Sequence, residues 1–112
     1  MKIKRAIWTL SMAAIISVAG FAGGQDKAQG AVEVKIDNFS FGPMSLTVSA
    51  GTTVTWINND EDPHTVVSVD KMTFKSPALD TGEKYSYTFT KPGKYAYFCS
   101  VHPQMLAEVV VQ

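Results

Sequence analysis

From residue 31 onward the chain alternates between apolar and polar positions. In 32–36 (VEVKI), Val32, Val34 and Ile36 fall on one side and Glu33 and Lys35 on the other. The stretches 45–49 (SLTVS) and 52–58 (TTVTWIN) follow, joined through Ala50-Gly51. In the second, Val54 and Trp56 share a face opposite Thr53, Thr55 and Ile57. Strand signal returns in 64–69 (HTVVSV), in 84–90 with Tyr85, Tyr87 and Phe89 on one face, and in 94–99 with Tyr95, Tyr97 and Cys99 together. The closing AEVVVQ carries it again. A period of two in segments rich in β-branched and aromatic residues, cut by turns such as Lys91-Pro92-Gly93, predicts strands. Helical spacing is missing from this region, and 70–83 is irregular, a loop with at most one short strand. Seven to eight short strands in about eighty residues predict an all-β fold, a Greek-key β-sandwich closed over Trp56, the tyrosines and the valines.

The chain does not begin in this way. Lys2, Lys4 and Arg5 precede the apolar run 6–22, AIWTLSMAAIISVAGFA, which ends in small residues. A basic start, a short apolar stretch and a small-residue exit define a secretory signal. Thr9, Ser11 and Ser17 weaken the run as a membrane anchor, which wants ~20 strongly apolar residues. The predicted organisation is a signal peptide at 1–22, cleaved after Ala19 or Ala22, a disordered lead-in at 23–30 and one domain at 31–112. Export to the periplasm follows from this.

Export changes how charge and cysteine are read. The formal charge of the whole chain is zero, but removing Lys2, Lys4 and Arg5 leaves seven basic against ten acidic residues. An acidic domain is a poor nucleic-acid binder. The chain has one cysteine, which cannot form an internal disulfide. A thiol in an oxidising compartment needs burial or a metal to protect it.

That cysteine lies in YFCSVHPQM, 97–105, together with one of the two histidines and a methionine. Taken singly, Cys99 reads as a small buried hydrophobe, His102 as a loop imidazole, Met105 as core filler and His64 as a strand-start residue. Taken together, they fall at turns that a sandwich gathers at one end. His102, in a tight turn before Pro103, is expected to face outward, and His64 to be enclosed. Zinc gains little from a thioether. Two imidazoles and a thiolate with a weak axial methionine describe a type 1, or blue, copper site for electron transfer. Two other readings compete with it. Cys99 and His102 as a nucleophile–base pair would leave Met105 unexplained and lack a third, orienting group, so an enzyme is not predicted. A periplasmic copper carrier or chaperone would use the same ligands, but the exported part holds only Met44, Met72 and Met105, and both histidines are already committed.

DPHTVV followed by YAYFCSVHPQM resembles the small blue copper proteins, the cupredoxins. TVTWINNDEDPHTV and the Cys-x2-His-x2-Met spacing are most similar to the amicyanins within that family. The resemblance covers roughly residues 31–112. It implies a cupredoxin-like sandwich and one copper ion held by His64, Cys99, His102 and Met105. It also implies redox-protein partners, an amine dehydrogenase as donor and a c-type cytochrome as acceptor, for a monomeric carrier. The chain departs from the family pattern twice. Thr65 stands where Asn usually ties the two ligand loops together, and Ala107 stands where Gly is frequent, which would strain a positive φ. The acidic run Asp60-Glu61-Asp62 just before His64 reads as a solvated loop, with a partner-steering patch as the alternative.

Overall fold

In the computed structural model, which describes residues 30–112, the alternation becomes the inward and outward faces of eight strands. The expected signal peptide at 1–22 and all but the last residue of the lead-in lie outside the described residues. The strands are β1 (Ala31–Asp37), β2 (Ser40–Gly42), β3 (Ser45–Val48), β4 (Thr52–Asn58), β5 (Val67–Ser68), β6 (Lys84–Phe89), β7 (Gly93–Phe98) and β8 (Leu106–Val111). They form two four-stranded sheets, ordered β2-β1-β4-β6 and β3-β8-β7-β5. β1 runs parallel to β4 and β3 parallel to β8, and the other pairs are antiparallel.

Val34, Ile36, Val54 and Trp56 face inward from one sheet, and Val48, Tyr97, Val109 and Val111 from the other. Trp56 is the centre of this core. Phe74 stacks on it at 5.7 Å, and Tyr97 and Phe89 meet it edge-on at 5.4 and 6.4 Å. Such aromatic pairs add about 0.5–1.5 kcal/mol each beyond the area they bury.

Strand direction decides what gathers at each end. β1 and β4 are parallel, so the turn after β1 and the loop after β4 emerge at the same end. β7 finishes and β8 begins there too, with Phe98 opposite Leu106. Residues 38–39, 59–66 and 99–105 are therefore neighbours.

Two elements differ from the sequence expectation. The strand expected at 64–69 is reduced to Val67–Ser68, because the preceding amides are diverted from the ladder. Thr65 N–H points to the Cys99 sulfur at 3.4 Å, and Val66 N–H donates to Ser76 Oγ at 2.8 Å. His64 instead exchanges backbone bonds with Leu79, at 3.1 and 2.7 Å. The second difference is β2, which is too short for alternation to reveal and which turns only Phe41 into the core.

Asn58 binds this end together. It is fully buried; its Nδ2 donates to the carbonyls of Asp62 at 2.9 Å and Leu79 at 2.8 Å, and its Oδ1 accepts from Asp60 N–H at 2.9 Å. Leu79 O is the same acceptor that receives His64 N–H. Replacing Asn58 with Ala strands buried polar groups, and should lower unfolding free energy by about 2–4 kcal/mol. Urea denaturation checks this, with the exposed neighbour Asn59→Ala as a control expected to change little.

Candidate metal centre

Backbone bonds set the positions of the donors before any metal is considered. The 99–105 loop closes on itself through Cys99 N–H to Met105 O at 3.2 Å and Met105 N–H to His102 O at 2.9 Å. His64 is held across from it by the Leu79 bridge. The result is one donor atom each from His64, Cys99 and His102, all within 4.8 Å of one another. Cys99 Sγ lies 3.7 Å from His64 Nδ1 and 3.8 Å from His102 Nδ1. His64 and Cys99 are completely buried, while His102 is half-buried. The enclosed and outward roles expected of the two histidines are those observed. Met105 is buried in the core cluster beside Cys99.

These separations fit a small first-row ion. A thiolate sulfur at about 2.3 Å and an imidazole nitrogen at about 2.0–2.1 Å from one centre stand roughly 3.5–3.8 Å apart at bond angles of about 110–120°. The ionisation of the sulfur fits as well. Burial alone would push the Cys99 thiol up. The Thr65 N–H, the two imidazoles and the His102 N–H outweigh burial and bring it down to about 6. A thiolate near neutral pH is the form that binds metal.

The two departures from the family pattern resolve differently. Thr65 does tie the ligand loops, because its Oγ1 accepts Ser100 N–H at 2.7 Å and lies 2.8 Å from Ser100 Oγ. Its short reach is sufficient because the partner is the residue directly after Cys99. Ala107 is not strained. It sits in β8 opposite Tyr97 and is not among the residues with positive φ.

Two residues escaped the sequence reading. Asp60 is no solvated member of an acidic run. Its Oδ2 lies 2.9 Å from His64 Nε2, and its two oxygens accept Asn38 N–H at 2.7 Å and Phe39 N–H at 2.8 Å. A carboxylate on Nε2 fixes the tautomer that leaves Nδ1 free to ligate. The other residue is Phe39. The two-residue turn between β1 and β2 has φ of 54° at Asn38 and 56° at Phe39. Hairpin turns of this kind normally place Gly second, so a phenylalanine there is strained. Its ring lies edge-on to both histidines, 5.3 Å from His64 and 5.1 Å from His102. Asp60 is what holds it there. An i to i+4 Asp–His spacing was the available signal for Asp60; nothing local announced Phe39.

Fold and site together define a mononuclear metal-binding β-sandwich with soft and imidazole donors at one end. Comparison with known proteins makes this specific. The profile of the copper binding proteins of the plastocyanin/azurin family matches residues 28–112. The chain is 38% identical to amicyanin of Paracoccus denitrificans over 104 residues, covering 89% of this chain and 79% of the relative. It is 30% identical to the chloroplastic plastocyanin of Tetradesmus obliquus over 125 residues, covering 99% and 86%. Among solved structures it is similar to a reduced tryptophan-to-tyrosine variant of amicyanin, with a TM-score of 0.70 and 38% identity over 74% of this chain and 83% of that one. A purple cupredoxin of Nitrosopumilus maritimus gives 0.68 and 33%, over 72% and 99%. The chain belongs to the plastocyanin/azurin family of copper-binding proteins, the cupredoxins, and is a type 1 copper electron carrier.

Asp60 generates a pH prediction. Burial pushes its carboxyl up, but the Phe39 and Asn38 amides and His64 prevail and hold it below its ordinary value of 3.8. A depressed folded-state pKa contributes stability above the unfolded value and loses it as pH falls through the folded one. Metal-free protein should therefore lose stability as pH falls below about 4, through the depressed pKa of Asp60. Asp60→Asn should start less stable at neutral pH and show a shallower acid slope. Thermal melts across that range measure both slopes.

Proposed function

We propose that the protein is an exported, periplasmic one-electron carrier in which His64, Cys99, His102 and Met105 hold one copper ion. The observation that carries this is the convergence of His64, Cys99 and His102 within 4.8 Å, with only His102 reaching the surface. In this reading residues 1–22 are removed on export and 31–112 form the working domain. Bound copper supplies one-electron cycling between Cu(II) and Cu(I).

The chain's own residues do the rest. Asp60 and the Leu79 bridge hold His64 so that its Nδ1 does not wander. The Thr65–Ser100 tie and the closed 99–105 loop do the same for Cys99 and His102. Met105, placed beside Cys99 by that loop, would offer the copper a weak thioether donor. A donor set fixed by protein bonds moves little between oxidation states, which favours rapid transfer. His102 gives the electron a short way out, among the exposed apolar side chains Phe39, Val101 and Leu106. Partner redox proteins meet this rim. By likeness to the amicyanins they are an amine dehydrogenase as donor and a c-type cytochrome as acceptor.

Burial of Cys99 counts against a nucleophile, since its sulfur cannot meet a substrate. It also counts against the second reading, a copper carrier or chaperone, which needs an open and exchanging site. Colour decides between them. The copper-loaded protein should be intensely blue and cycle reversibly with ascorbate and ferricyanide, whereas a colourless form that surrenders copper readily would favour transport. Cys99→Ser should abolish the visible band, because that band is charge transfer from the thiolate. Met105→Gln should retain copper and lower the reduction potential, since an oxygen ligand favours Cu(II). Unchanged absorption in Cys99→Ser would sink the assignment.

The acidic run needs a narrower test than its sequence suggests, since Asp60 is structural. Glu61 and Asp62 are exposed. If they steer a basic partner, Glu61→Gln with Asp62→Asn should slow electron transfer several-fold at low salt and have little effect at high salt. Stopped-flow kinetics at two ionic strengths measures this, and equal rates at both would return the pair to solvent.

A further inference from the structure

Thr65 presents a hydroxyl with more partners than protons. Its Oγ1 lies 2.7 Å from Ser100 N, 2.8 Å from Ser100 Oγ and 3.8 Å from Cys99 Sγ. Ser100 N–H can only donate, so it occupies one lone pair of Thr65. The single Thr65 proton then has two acceptors within reach, Ser100 Oγ and the Cys99 sulfur. In one arrangement Thr65 donates to Ser100, and from Thr65 the sulfur receives only the N–H at 3.4 Å. In the other, Ser100 O–H donates to Thr65, whose own proton turns to the sulfur. The heavy atoms are the same in both. Ser100 is exposed, so water satisfies its oxygen in either arrangement and reversal costs little.

We propose that the Thr65–Ser100 hydroxyl pair is a two-position hydrogen-bond relay, turned toward the Cys99 sulfur when the bound copper is reduced and away from it when oxidised. This rests on Cys99 being a copper ligand. The added electron makes the sulfur more negative, and a hydrogen bond to a more negative acceptor is stronger. Thr65 is buried and Cys99 fully so, in a setting where such a difference is weakly screened. No bond to hydrogen breaks; the proton stays on the Thr65 oxygen and swings. Thr65 is thus a positioning residue for the electron as well as a tie between loops, and its effect is to stabilise the reduced form.

The relay makes predictions of opposite sign for its two members. Thr65→Val removes the donor, so the reduced form loses its extra bond and the potential falls. Ser100→Ala removes the competing acceptor, so the oxidised form loses its preferred arrangement and the potential rises. Each shift should be roughly threefold to tenfold in the Cu(II)/Cu(I) equilibrium, where tenfold is 59 mV for one electron. Thr65→Asn should restore the loop tie and the melting temperature but leave the potential near that of Thr65→Val. Voltammetry of the copper-loaded full domain reads all three, and Ser100→Ala, at an exposed position, carries the test alone should Thr65→Val fold poorly. A rise in Ser100→Ala establishes the relay. An unchanged potential there, or shifts of the same sign in both variants, would reduce Thr65 to a static tie. Blue colour and reversible cycling in the wild type keep this outcome separate from failure of the copper reading itself.

Discussion

The carboxylate of Asp60 joins two places, accepting hydrogen bonds from the consecutive amides of Asn38 and Phe39 in the β1–β2 turn and pairing with the His64 ring four residues on. Its backbone carbonyl takes a fourth from Thr81 Oγ1 at 2.6 Å. The first sheet's hairpin, the loop carrying the buried imidazole and the approach to β6 therefore share one anchor. A left-handed phenylalanine in a tight turn costs on the order of 1–2 kcal/mol. It persists because both turn amides find a charged acceptor. That acceptor at the same time orients His64, so removing it would loosen the cover and the donor together.

Around this anchor, the site is assembled from bonds that a regular sheet would have used otherwise. Thr65 N–H goes to sulfur and Val66 N–H to a serine hydroxyl, and the strand that should have begun at His64 begins at Val67. The sandwich forfeits ladder bonds at its end and gains a rigid cage of donors. The same amide that shortens β5 also lowers the thiol pKa. Structure and chemistry are here one feature, since the donor lost to the ladder is the donor that stabilises thiolate.

Much of this was legible in the chain. Strand faces followed the alternation, with Trp56 and Tyr97 in the core as their neighbours implied, and the three nearby donors were visible from Cys-x2-His-x2-Met and a distant histidine. The parts that were not legible depend on contacts across the fold. Asp60 looked like one of three equivalent acids because, beyond its i to i+4 spacing to His64, the amides of Asn38 and Phe39 that single it out come from 22 and 21 residues away. Phe39 sat in a turn whose composition does not advertise positive φ. Thr65 looked too short for its role, and proved adequate only because Ser100 happens to be the residue it meets.

The order of the elements along the chain has a consequence for biogenesis. β8, the last strand, is not at an edge; it lies between β3 and β7 and pairs in parallel with the former. Loop 99–105, with its three chemically active side chains, is clamped only when that strand is inserted. A chain synthesised amino end first thus presents its second sheet with a gap in the middle until β8 arrives. The ligand pocket stays open until β8 is in place, so metal capture reports a closed second sheet, and a chain cut short before β8 has histidine, cysteine and methionine but no cage to set them in.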